Sequence, residues 1–537
     1  MVGVPGRSKG CSTCRRRKKG CDKKVPFCGQ CLALDIQCEG YERQPIWVNS
    51  KGNRQTAYTK PSSNSLPELS RSPESDPEPP TAVTLHDSFT RTARTQKYTG
   101  LFWADYLSGE NGFSHKAFGT KKTQWLRVHE ELCRTEATLQ FMAMALSTAT
   151  LGASNDDEDL KVKSLQAYGL AIKQLATSLK ERGPNNDGVL AAVQLMRIFE
   201  LLFGADPGSH DAGGPASQIQ SFRRHVDGET ALILSRGPND TWSPSGRQLL
   251  ADGRLHLITA YISRRRRSPF SQPEWKHAHS WRSVADSPLN KLLDTLVEIP
   301  GLLEDLDTLR RVSTSKESEQ LHTSLVAKCQ ACELALLAWE VEMGDLLGMY
   351  DYTTTSETIP IPQNDDDLAL LYLSHIYWMT CLMLYSTMGF CELENPRTRG
   401  HSTDLTTSVA QQMARTYAYR IAHSIYLLFR PPAGTYSAAA ALFPLGQALR
   451  YLIMLETYGG QNILSNERLM LVQVFKQPFL GSIVGRFLRN LQSDDGINYG
   501  VEGIVGMRAV EYRARVWWCG LDRAGLPELI FEDPCLK

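Results

Sequence analysis

The chain has 537 residues, 42% apolar and 22% charged, with a net charge of +1, an ordinary balance for a soluble globular protein. That length can bury a sizeable core and predicts two or more domains. The opening residues MVGVPGRSKG hold no apolar run of signal-peptide length, which argues against an oxidising compartment and therefore against disulfides.

The charge is unevenly placed. Residues 1–24 carry nine basic side chains and one acid, Asp22, so a basic head precedes a mildly acidic body and points to an anionic partner. Threaded through this head are Cys11, Cys14, Cys21, Cys28, Cys31 and Cys38, spaced C-x2-C-x6-C-x6-C-x2-C-x6-C, one short unit written twice. A thioredoxin-type redox pair would sit at the end of an apolar strand, and neither C-x2-C does. Zinc is the better fit, because it takes four thiolates tetrahedrally and each C-x2-C can grip an ion from one turn. The first histidine is His86, so the ligands are all sulfur. Two arrangements remain. Cys11, Cys14, Cys28 and Cys31 could hold one zinc alone, or all six could hold two zincs through two shared thiolates. The internal repeat favours the second.

These residues resemble the binuclear zinc-cluster DNA-binding domain of fungal transcription factors, with its pattern C-x2-C-R-x-R/K-K-x-K-C-D, a loop, and a second C-x2-C-x6-C. The chain reads C-S-T-C-R-R-R-K-K-G-C-D and then K-K-V-P-F-C-G-Q-C. The six cysteines, Arg15, Arg17, Lys18 and Asp22 match, and Pro26 falls at the loop proline. The resemblance implies two zinc ions per chain bridged by Cys11 and Cys28, double-stranded DNA as partner, and action in the nucleus. Gly20 departs from the basic residue usual before the third cysteine, which removes one phosphate contact that Lys19 or Lys23 would have to cover.

Ser12 or Thr13 is expected to cap a short helix running through Arg15 to Lys18, with Arg15 and Lys18 on one face. Metal at both ends of that turn would hold a peptide too short to be helical alone. Such modules place a helix in the DNA major groove. The resemblance puts Lys18, helped by Arg17, at the bases of a CGG-like half-site; Arg15, Lys19 and Lys23 suit phosphates.

After Cys38 the chain turns polar. Residues 61–80 contain six prolines, six serines and no aromatic residue, a composition that predicts disorder. The predicted organisation is a zinc-cluster domain over 7–43, with two short helices, a Pro/Ser-rich disordered linker over 44–97, and one large all-α domain over 98–537. No heptad repeat appears between 40 and 100, so half-site spacing is not encoded by a coiled coil there.

The helical reading rests on i, i+3, i+4, i+7 spacing in Leu139, Met142, Ala143 and Leu146, in Val189, Ala192, Val193 and Met196, and in Leu289, Leu292, Leu293 and Leu296. Breakers separate the blocks at Gly183-Pro184, Gly237-Pro238, Pro300-Gly301 and Pro431-Pro432. Residues 368–390 lack Asp, Glu, Lys and Arg and are long enough to span a bilayer, but Ser374, His375, Tyr377, Thr380, Ser386 and Thr387 interrupt them and the basic flank is missing. A buried helix, with no membrane partner, is expected.

LFWADYL near 101, HVDGETALILSRGP at 225–238, LLDTLVEIPGLL at 292–303 and FPLGQAL at 443–449 are similar to the fungal-specific transcription factor regulatory domain. Where that family usually has Gly-Ala after the histidine and its two following residues, this chain has Gly228 and Glu229. The resemblance implies regulation of metabolic, including secondary-metabolite, gene sets. A homodimer, a small-molecule effector and co-regulators are the further partners such a region would take.

The rival reading is an enzyme or effector-binding protein housed in the helices. Asp156, Asp157, Glu158 and Asp159, like Asp365, Asp366 and Asp367, fail the D-D-x-x-D pattern of terpenoid synthases and read as helix starts. No H-E-x-x-H, G-x-S-x-G or P-loop motif occurs. GADPGSHDAGG at 204–214 reads as a surface loop, His225 as a satisfied histidine, Arg264–Arg267 as a solvated helix end, and Cys329 with Cys332 as core. No catalytic residue is expected.

Overall fold

The computed structural model describes residues 11–23, 28–34, 36, 38, 99–103, 105–107, 122–204, 218–238, 242–276, 287–312, 315–354, 358–395, 408–458, 465–477 and 480–495. The predicted linker over 44–97 and the loop at 205–214 lie outside them. The chain divides into two compact units, Met1–Val83 and Thr84–Lys537.

In the first unit, α1 (Ser12–Arg16) and α2 (Gly29–Leu32) are single turns around a core made of cysteine. A core this small has almost no apolar surface to bury, so its order depends on what the sulfurs hold.

The second unit is helical, and no strand occurs among the described residues. Its first layer is α3 (Lys122–Cys133), α4 (Ala137–Asn155), α5 (Glu158–Arg182) and α6 (Asp187–Phe203). The acidic run that opens α5 has a structural role. Asp156 ends α4 in the left-handed region, and Asp157 caps α5 by accepting the Leu160 N–H. Glu136, buried at the head of α4, accepts from Ser178, Arg182 and Asn186, and so pins three helices with one carboxylate. These hydrogen bonds outweigh its burial and hold its carboxyl below the usual range.

Next come α7 (Gln218–Arg236), α8 (Pro244–Arg264), α9 (Pro273–Lys276), α10 (Pro288–Leu296) and α11 (Ile299–Arg311). Pro300-Gly301 does not lie in a linker. It falls in the first turn of α11, where a missing N–H leaves no hydrogen bond unmade. The predicted core positions of α4, α6 and α10 are buried, with Leu289 only partly so.

The rest is α12 (Ser315–Met343), α13 (Asp365–Leu393), α14 (Val409–Ser424), α15 (Gly434–Tyr458), α16 (Asn466–Gln473) and α17 (Leu480–Asp495). Helix α13 is long and apolar enough to cross a membrane, yet 94% of its apolar window is buried against protein. The residues at 431–455 meet the same length test and are 61% buried. The polar interruptions in α13 are internally satisfied. Ser374, Thr380, Ser386 and Thr387 donate to the carbonyls one turn back, and His375 lies 2.7 Å from the Leu371 carbonyl and 3.2 Å from Ser424 Oγ. Asn364 caps α13, and Asp365, Asp366 and Asp367 occupy its first turn, where carboxylates suit the helix dipole.

Candidate metal centre and nucleic-acid interface

Each C-x2-C pair opens a helix with its first sulfur. Cys11 precedes α1 and its Sγ accepts the Cys14 N–H at 3.3 Å; Cys28 precedes α2 and accepts the Cys31 N–H at 3.3 Å. The cap of α1 is therefore Cys11, not Ser12 or Thr13, because the sulfur already takes the orphan donor of the first turn.

The sulfurs fall into two overlapping sets. Cys11, Cys14, Cys21 and Cys28 lie within 4.8 Å of one another, and so do Cys11, Cys28, Cys31 and Cys38. Cys11 and Cys28 belong to both. Sulfur separations are 3.6 Å for Cys11–Cys28, 3.6 Å for Cys14–Cys28 and 3.9 Å for Cys11–Cys31. Four sulfurs around a zinc at about 2.3 Å would stand about 3.8 Å apart, so the donor set fits zinc in size and chemistry. None of the six is in a disulfide, and burial pushes the thiols of Cys11, Cys14 and Cys31 upward, Cys31 to about 12. Metal capture must therefore displace protons that these thiols otherwise keep.

The two halves are also tied by Asp22, whose carboxylate oxygens accept the Gly29 N–H at 2.9 and 3.0 Å. A Cβ at Gly29 would come within 2.5 Å of that carboxylate, so a larger residue there would push Asp22 off the Gly29 N–H. Sequence reasoning matched Asp22 to a motif without finding this clasp, since its partner lies across the loop.

The basic side chains are placed differently from the expected helix face. Helix α1 ends at Arg16, and Lys18 follows it in the left-handed region at φ 54, with the Lys19 N–H donating to the Cys14 carbonyl at 3.0 Å. That is a helix-terminating turn, so Lys18 does not share a helical face with Arg15. Lys23 is also left-handed, at φ 60. Arg15 lies within α1; Arg17, Lys18, Lys19 and Lys23 are exposed. Arg16 is exposed too and was not singled out from the sequence.

The rival sites resolve into structural roles. His225 Nε2 lies 2.6 Å from the Tyr168 hydroxyl, which donates to Glu200 at 2.5 Å. The arginine run is no solvated helix end. Arg264 pairs with Asp227, Arg265 with Asp307, Arg266 with Glu304 and Arg267 with Asp305. Arg265 is only 5% exposed. Cys329 and Cys332 are buried in α12.

Residues 9–47 match the fungal Zn(2)-Cys(6) binuclear cluster domain and residues 113–433 the fungal specific transcription factor domain. The chain belongs to this family of fungal transcription regulators, whose cluster domain binds zinc and DNA. An uncharacterized protein of Emericella nidulans is 27% identical over 216 residues, 38% of this chain and 44% of its own length. The pestheic acid cluster transcriptional regulator 3 of Pestalotiopsis fici is 51% identical over 47 residues, 9% of this chain and 8% of its own. The transcriptional regulatory protein pro1 of Neurospora crassa is 30% identical over 129 residues, 21% of this chain and 17% of its own. These matches span less than half the length of each relative. No solved structure matches the chain.

Proposed function

We propose that this chain is a nuclear, sequence-specific DNA-binding regulator whose Cys11, Cys14, Cys21, Cys28, Cys31 and Cys38 hold two zinc ions, Cys11 and Cys28 serving both. When bound, the zinc supplies cross-links that order the unit. Lys18, with Arg17, reads the bases of a CGG-like half-site, while Arg15, Lys19 and Lys23 hold phosphates. The working parts are a cluster domain over 7–43, a linker over 44–97 and a regulatory domain over 98–537, which takes a second copy, a small effector or co-regulators. The likeness to a pestheic acid cluster regulator supports a metabolic gene set as target.

One observation carries this reading: two sulfur quartets sharing Cys11 and Cys28, adjoining exposed Arg17, Lys18 and Lys19. Selection of duplexes from a random pool by the full-length protein should enrich CGG-containing sites. Native mass spectrometry of the same sample should count two zincs. One zinc per chain would remove the shared cluster, and a pool without CGG would remove the base assignment.

A further inference from the structure

The helical body contains a cavity of about 230 Å³ between α6, α7, α8, α15 and α17. Its wall is mostly apolar, with Phe222, Phe443 and Phe487 on three different helices. Every charged residue on that wall among the described residues is basic: Arg197, Arg223, Arg264 and Arg450.

Arg197 is the unusual one. It is only 4% exposed, and its Nε has no well-formed hydrogen bond among the described residues. Its Nε stands 3.4 Å from Glu229 Oε2, and both of these buried atoms lack a hydrogen-bond partner. Gln194 donates to the other Glu229 oxygen at 2.8 Å, which holds the carboxylate and with it the Nε edge of the guanidinium. A buried guanidinium with unspent donors beside apolar walls is set up to receive a carboxylate, in fork geometry and out of water.

We infer that this cavity binds a small molecule with an apolar body and one carboxylate, the carboxylate facing Arg197 and the body lying among Phe222, Phe443 and Phe487. The space is below the roughly 300–1,000 Å³ of drug-sized sites and suits a medium-chain acid. The inference deepens the regulatory reading of the helical domain and rests on that reading for its purpose, not for its chemistry.

Calorimetric titration of the full-length protein with octanoate, 1-octanol and acetate tests it. Octanoate should bind at least tenfold more tightly than 1-octanol, and acetate should give no heat. Ala440→Phe, which fills the cavity, should abolish octanoate binding with the melting temperature retained. Arg197→Lys, which keeps the charge opposite Glu229 but loses the planar fork, should weaken octanoate at least tenfold and leave 1-octanol unchanged. Equal binding of octanoate and 1-octanol, survival of binding in Ala440→Phe, or no octanoate binding at millimolar concentration would overturn the inference. None of these outcomes alters CGG selection by the cluster unit, so failure of the cavity and failure of the DNA reading are separable.

Discussion

Lys18 and Lys23 are both exposed and both held in the left-handed region, where few non-glycine residues sit. Their proposed tasks differ, so their variants should differ. Lys18→Ala should erase preference for CGG duplexes with the zinc content unchanged. Lys23→Ala should weaken binding to all duplexes alike and lower the salt slope by about one. Fluorescence anisotropy on matched and scrambled duplexes at several salt concentrations separates the two, and equal loss of selectivity in both would reverse the assignment. Gly20 offers a gain. Nothing lies within 4 Å of where its Cβ would be, and its φ is outside the left-handed range. Gly20→Lys should therefore fold normally, tighten binding to all duplexes and steepen the salt slope by about one. An unchanged slope would mean that this position faces away from phosphate.

The helix that ends in an arginine run makes the case at the scale of elements. Arg265 terminates α8 in the left-handed region and fixes α11 through Asp307 Oδ2 at 2.6 Å and the Leu303 carbonyl at 3.2 Å. Arg266, next to it, has a side chain that is 68% exposed and, among the described residues, pairs with Glu304 alone. Arg265→Ala should cost about 2 kcal/mol, since it removes a buried guanidinium and its charge-assisted hydrogen bonds to a partly exposed Asp307, whereas Arg266→Ala should cost less than about 1 kcal/mol. Urea melts of both variants check this, and similar midpoints would show that α8 and α11 are not latched here. These residues also show where sequence reading stops. The cysteine spacing and the carboxylates that start α5 and α13 were legible because ligation and capping act within one turn. The arginine run was not, because Glu304, Asp305 and Asp307 lie some forty residues on and only the tertiary fold brings them in. Glu229 was visible as a departure from a family pattern, but its pairing with Arg197 was not, for the same reason. The end of α1 at Arg16 escaped because a run of five basic residues carries no stop signal.

At the scale of the whole molecule, proton and metal uptake govern the two units separately. Burial first, then Arg197, pushes His225 down to about 4, and burial pushes His375 down to about 4 against its carbonyl contact. Between their ordinary value and about 4 the unfolded chain binds protons that the folded chain refuses. The contribution of these two histidines to the helical unit's stability is fully present above about pH 6.5 and is lost as pH falls toward 4. His375→Gln should remove up to about 3 kcal/mol of that loss. Thermal melts from pH 7 to 4 measure it, and an unchanged slope in the variant would place the proton uptake elsewhere. The cysteine unit answers to metal instead, because its interior is sulfur with little apolar surface. The most direct measurement is binding of the full-length protein to a CGG duplex and to a scrambled duplex, before and after a chelator and again after zinc is restored. Selectivity should disappear with the chelator and return with zinc while the α-helical circular dichroism of the body persists. Undiminished preference for the CGG duplex in the metal-stripped protein would contradict the account.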